Sequence, residues 1–225
     1  YIKNYHEEVN AIIDNADKLK KYSIFNKAGS FSYANILQTA RDFERVKNVI
    51  LPEDEYKGVQ AYTTYYYQYF FTMLVMMFVI YDMFAQRDNG MWSITYSCAN
   101  GRIMYAIKQT GVIVVTGAFT HTLIYWSTFI AAMLQRGGVR DLVNPVQTIE
   151  TFDKFTYPWS KIKYVTVLYL ISMVCIVALC ITIWGVFVMF RNRVYALVTM
   201  LIFAAVEQFI YSHIDIHSVW NGLHY

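Results

Sequence analysis

Three ionisable side chains fall in stretches that otherwise carry no charge: Asp82 near the end of one apolar run, His121 midway through another, and Glu207 in a third. Charges in hydrocarbon are costly, so by default such groups line a pathway or pair inside a helix bundle. Asp82 is close enough to the end of its run to be solvated. For His121, a neutral imidazole hydrogen-bonded to a neighbouring helix is adequate. Glu207 is open to two readings, a polar cavity or a neutral, buried carboxyl. His213 and His217 would share one helical face at i and i+4, as zinc ligands can, with Asp215 between them. Asp215 would point elsewhere and no third ligand shares that face, so a polar cap at a helix end is the better account. No metal site is expected.

The sequence has no GxxxxGK[ST] phosphate loop, no HExxH and no GxSxG. If ATP is involved, another chain binds it, and no cofactor is expected on this chain itself. Any ATP and Mg would belong to a partner. Cys98, Cys175 and Cys180 show no C-x-x-C spacing and imply neither a disulfide scaffold nor zinc.

The elements that must position these groups follow from composition. Hydrophobic residues make up 56% of the 225 and charged residues 16%, whereas a soluble domain is about a quarter charged. Tyr62–Tyr81 and Tyr164–Phe190 are uncharged, Gln109–Gln135 holds only His121, and Val194–Ser212 only Glu207. About 20 residues cross the hydrocarbon core. The expectation is an all-α, polytopic helical membrane protein embedded in a lipid bilayer, with four transmembrane helices at about 62–84, 109–134, 164–190 and 194–212. The net charge of +3 comes without a Lys/Arg stripe among the aromatics, so no nucleic acid partner is implied.

Residues 1–61 form the sizeable soluble portion. Tyr5, Val9, Ile12 or Ile13, Ala16 and Leu19 recur at three- and four-residue steps between charged residues, as in an amphipathic helix. Gly29 and the serines of Asn26–Ser32 break it, and a second helix is expected over about Tyr33–Val49, ended by Leu51-Pro52. About 60 residues with so few large apolar groups make a thin core, which suggests the returning half of a larger outer domain. The chain opens on Tyr1 without a signal peptide and is expected to be an internal piece of a longer protein. In the 135–163 linker, Asn144 suits an N-cap and Pro145 a first helical position, with Val146, Ile149, Phe152 and Phe155 along one side, a pattern that predicts a helix lying in the membrane interface. Arg191-Asn192-Arg193 then makes a tight turn between the last two spans.

The loop from Ala85 to Lys108 is not a slack connector. Asn89-Gly90 and Asn100-Gly101 are turn signals bracketing Met91–Ala99, a segment that suits a short helix with Met91, Ile94, Thr95 and Cys98 along one face. Arg87, Arg102 and Lys108 place cations at its ends. Such a helix fits docking to another protein; an ordered surface loop without a partner fits the same spacing. Lys and Arg are evenly shared between the two sides, and only the short Arg-Asn-Arg turn tips the Ala85–Lys108 side toward the cytoplasm.

The run Asp54-Glu55-Tyr56-Lys57-Gly58-Val59, then Asn89-Gly90-Met91-Trp92, Asn100-Gly101-Arg102 with Lys108, and later Asn144-Pro145-Val146-Gln147-Thr148-Ile149 resembles the permease subunits of bacterial ABC-2-type transporters. The resemblance covers most of Ser30–Trp220 through short motifs. It implies six spans, of which this chain holds the second to fifth, and a dimer with a second permease copy or homologue. The location it implies is the bacterial cell membrane, with residues 1–61 extracytoplasmic and Ala85–Lys108 cytoplasmic. Met91–Ala99 would be the coupling helix seated on a separate ATP-binding subunit, with Arg87, Asp88, Asn89, Gly90, Met91, Trp92, Ile94, Thr95, Cys98 and Arg102 at the contact. The implied function is transport, with export favoured. Two other readings stay open: a membrane sensor or scaffold whose outer helices bind a ligand or partner, and an intramembrane enzyme using Glu207 with His121 or His213.

Overall fold

The computed structural model describes residues 4–22, 29–52, 57–64, 68–90, 97, 101–136, 139–152, 154–190 and 192–213. Among these the chain is helical, with no strand beyond one isolated bridge. Its contacts divide it into two compact units, Tyr1–Tyr66 with Ser127–Leu170 and Tyr67–Trp126 with Ile171–Tyr225.

In the first unit, α1 (Tyr5–Leu19) buries Tyr5, Val9, Ile13 and Ala16, so the three- and four-residue steps put one face against Phe43 and Leu51. Leu19, expected on that face, is exposed. Gly29 takes φ +86°, where a side chain would be strained, and Ser30 then caps α2 (Phe31–Glu44) by accepting from the Tyr33 amide at 3.2 Å. That cap starts the helix two residues before the expected Tyr33. The helix also ends well short of Pro52, in turns that bury Val46. α3 (Gly58–Thr64) follows, and its Tyr62 packs edge-on against Phe129 at 5.3 Å. Tyr62 is thus core of this unit.

The linker differs from its expectation as well. It forms short 3-10 turns at Val139–Val143, Val146–Thr148 and Glu150–Phe152 where an α-helix was predicted. Pro145 is extended (φ −61°, ψ 146°) and bridges Ser160. The Val146 amide donates to the Trp159 carbonyl, and the Lys161 amide to that of Asn144, each at 2.9 Å. This strand-like pairing draws Pro145 out of helical geometry. Buried Gln147 then donates its amide to the Phe155 and Tyr157 carbonyls at 2.9 and 2.8 Å, holding the coil that a helix would have held. Beneath it, Asp141 and Lys161 form an ion pair closed off from solvent.

The second unit holds α4 (Gln68–Met83), the single turn α5 (Ala85–Asp88), and α8 (Arg193–His213), together with parts of α6 (Gly101–Arg136) and α7 (Lys161–Met189). α6 buries Gln109, Ile113, Gly117, His121, Tyr125 and Phe129, a strict four-residue step that follows one ridge of the helix. Met73, Met76, Met77 and Ile80 of α4 and Ile176, Cys180 and Ile183 of α7 share a core with Ile113, and α8 adds Ala196, Met200 and Ala204. Asn192 turns the chain from α7 into α8 by accepting from the Val194 amide at 2.8 Å.

Among the described residues, two helices are long and apolar enough to cross a membrane, Ile103–Arg136 and Lys161–Met189. In each, only 28% of the apolar window is buried within the protein, whereas a soluble core helix would be mostly enclosed. Val112, Val115, Phe119 and Leu123 on α6, and Leu170, Ile171 and Val174 on α7, face outward instead. Of the four expected spans, these two pass on length and apolarity among the described residues. α4 has 16 residues, about 24 Å at 1.5 Å per residue, and α8 carries Glu207 in its second half. α6 also begins earlier than expected: residues 101–108, assigned to the loop, are its first two turns.

A Cβ on Gly117 would meet Cys180 Sγ at 2.5 Å and Met76 Cε at 3.4 Å, whereas nothing lies within 4 Å of one on Gly111. Gly117→Ala should therefore destabilise the folded chain by about 1–3 kcal/mol through overpacking. Gly111→Ala should be neutral or stabilising by up to about 1 kcal/mol. Thermal unfolding in detergent separates the two, and adding Cys180→Ala should recover part of the Gly117→Ala loss.

Candidate functional site

His121 lies one helical turn beyond Gly117, where α4, α6 and α7 are pressed together. Its ring is fully buried and both nitrogens are engaged. Thr72 on α4 donates its hydroxyl proton to the Gln68 carbonyl at 2.7 Å, which leaves Thr72 Oγ1 to accept from His121 Nδ1 at 3.2 Å. In a neutral imidazole the proton then sits on Nδ1, and Nε2 accepts from the Ser172 hydroxyl on α7 at 2.8 Å. A single ring thus ties three helices together through hydrogen bonds in an apolar setting, with Tyr125 one turn further along at 5.7 Å. This arrangement fixes helix positions. Thr72 and Ser172 were not singled out from the sequence. Their only signal is a hydroxyl in an apolar run, which Thr and Ser also give when they bond their own helix.

Glu207 is half-buried on α8. It stands beside an apolar groove of about 410 Å³ lined by Phe70, Leu74, Leu201, Ala204, Ala205, Gln208 and Phe209, but is not part of that lining. His121 bonds Thr72 and Ser172 within this unit. Asp82 is exposed on α4.

The loop's first half is anchored to the bundle by Arg87. From α5 its guanidinium donates to the carbonyls of Phe187 at 3.2 Å and Phe190 at 2.9 Å, which are among the last carbonyls of α7 and the residue after it. A cation there satisfies acceptors that the helix leaves open and matches the negative end of its dipole. The guanidinium also lies over the Phe84 ring, 4.8 Å from its centroid, and Phe84 packs on Phe187 at 5.5 Å. Arg193, at the start of α8, lies over Tyr81 of α4 at 4.6 Å. Two arginines on aromatic faces therefore close this end of the second unit.

Of the residues proposed for a docking contact, Arg87 thus has an internal partner. Asn89 and Gly90 form an exposed turn in which Gly90 takes φ +73°. Asp88 ends α5 and Arg102 lies in the first turn of α6, both by backbone position. Met91, Trp92, Ile94, Thr95 and Cys98 lie outside the described residues, as do Asp215 and His217. The early start of α6 adds residues the sequence reading passed over: Ile103, Met104 and Ile107 are exposed, at helical spacing, on its first two turns. Among the described residues, no group of three or more His, Cys, Asp or Glu could hold a metal ion. The chain matches no protein-family model, no curated protein and no solved structure.

The hydrogen-bonded ring predicts non-additive losses. Thr72→Val and Ser172→Ala should each cost about 0.6–2 kcal/mol, the range for such bonds between helices in membranes. In a His121→Leu background the further cost of Ser172→Ala should fall close to zero. Unfolding of the single and double variants in mixed micelles measures this, and full additivity would contradict the chain of bonds.

Proposed function

We propose that this chain is the membrane permease subunit of an ABC-2-type transporter, non-catalytic itself and driven by a separate ATP-binding subunit. On this reading α4 and α8 join α6 and α7 as spans, residues 85–100 with the first turns of α6 meet the ATPase, and a second permease completes the pathway. The permease lies in a bacterial cell membrane, with residues 1–61 outside. Substrate transport, with export favoured, is the output.

The observation that supports it most is the Arg87 anchor. A loop that only links two spans has no need to grip the end of a third, yet Arg87 holds the α7 carbonyls from the turn that leads into the proposed docking segment. A push on the loop would reach α7 through charge-assisted hydrogen bonds and the Phe84–Phe187 contact. The outward-facing Ile103, Met104 and Ile107 give the same region an apolar surface for a partner.

The test is co-purification of the full-length protein with an ATPase, comparing wild type with Met91→Asp/Trp92→Asp and with Arg87→Ala. An ATP-binding subunit should accompany wild type and be lost from the doubly charged loop. Arg87→Ala should keep the partner and lose several-fold in transport per ATP hydrolysed, with Arg87→Lys in between because one ammonium replaces a two-bond fork. If wild type brings down no ATPase under conditions that preserve the complex, the permease reading fails and the sensor or scaffold takes its place.

A further inference from the structure

The first turn of α7 carries two lysines with opposite fates. Lys161 is buried and paired with Asp141, so its charge is spent inside the unit. Lys163 is exposed, with its ammonium 4.9 Å from the centroid of the Trp159 ring. Trp159 packs on Tyr157 at 5.5 Å, and Arg45 lies over the Tyr157 ring, 5.5 Å from its centroid. Phe155 supports both rings, at 5.9 and 5.6 Å. Two cations and the two rings they lie over thus gather at the start of a helix that is long and apolar enough to cross a membrane.

We propose that Arg45, Tyr157, Trp159 and Lys163 form a binding surface for the phosphate of an anionic phospholipid in the leaflet where α7 begins. Trp and Tyr concentrate at headgroup level because one part of each ring is apolar and the other polar, and the cluster sits at the end of a span, where that level falls. Arg45 and Lys163 are both exposed, so their donors are accessible to an acceptor outside the protein. Asp42 takes one guanidinium nitrogen of Arg45 at 3.1 Å, but Arg offers five donors in a planar fork and the others stay available. Lipid phosphate fits the position better than free phosphate does, because the rings supply an apolar ledge for the glycerol and upper acyl chain beside the charge. This inference rests on α7 being a span and is independent of the transporter role.

Bilayer nanodiscs carrying the full chain supply the test, read by quenching of Trp fluorescence with brominated phosphatidylglycerol or brominated phosphatidylcholine. The Trp159 signal is taken as the difference between wild type and Trp159→Phe. Quenching by the anionic lipid should exceed that by the zwitterionic one, by about fivefold for each cation engaged. Arg45→Gln/Lys163→Gln should bring the two lipids close to parity, while Asp42→Asn, which frees the guanidinium, should widen the preference. The charge-keeping pair Arg45→Lys/Lys163→Arg should retain most of it, which separates lost charge from lost fold. Equal quenching by the two lipids in wild type, or a preference untouched by Arg45→Gln/Lys163→Gln, overturns the proposal. So does abolition of the preference by soluble glycerol phosphate, which would mark a site for free phosphate esters.

Discussion

The second unit depends on one close approach, the meeting of α4, α6 and α7 where Gly117 has no side chain and Cys180 and Met76 fill the space. Between helices in lipid there is little hydrophobic drive to associate, so small residues and interhelical hydrogen bonds carry much of the specificity. Gly117 brings the backbones within reach, and one turn later His121 uses that reach to bond α4 and α7 at once. The two features are linked by the four-residue step of the α6 stripe, which puts 117 and 121 on the same ridge. Without the first, the imidazole would have its polar atoms in hydrocarbon with nothing to meet.

That link explains what was legible in the sequence and what was not. The apolar runs and their lengths announce α6, α7 and α8, and the Arg-Asn-Arg turn announces the α7–α8 connection, because hydropathy and turn chemistry are local properties. The amphipathic face of α1 was legible for the same reason. Gly117 registers in the sequence only as one small residue among several in its run, since a close approach is made by the helix opposite. Thr72 and Ser172 were likewise hidden, because the partner of a hydroxyl is chosen by packing.

The errors share a cause as well. Asn144-Pro145 reads as a helix start, yet the Asn144 carbonyl and Val146 amide bond the chain at Trp159–Lys161, and pairing at a distance overrides the local preference. Residues 101–108 were assigned to the loop, yet the helix already runs from Gly101, so two turns with Ile103, Met104 and Ile107 exposed extend into that region. In the candidate site, Arg87 was singled out for its charge and its place at the loop's edge. Its bonds to the α7 carbonyls come from a segment a hundred residues away in sequence, which no local pattern reports.

The pairing at Pro145 and Ser160 also sets how freely this stretch can change. Because residues 144–146 and 159–161 are bonded to each other, the chain between them is a closed loop whose ends stay fixed whatever lies inside. The entropy of closing a flexible loop grows slowly, by about 0.6 kcal/mol for each doubling of length. Extra residues inserted beyond the Gln147 bonds would therefore lengthen the tip without shifting where α7 starts, making this a place where insertions are cheap and the register of the adjoining helix is insulated from them.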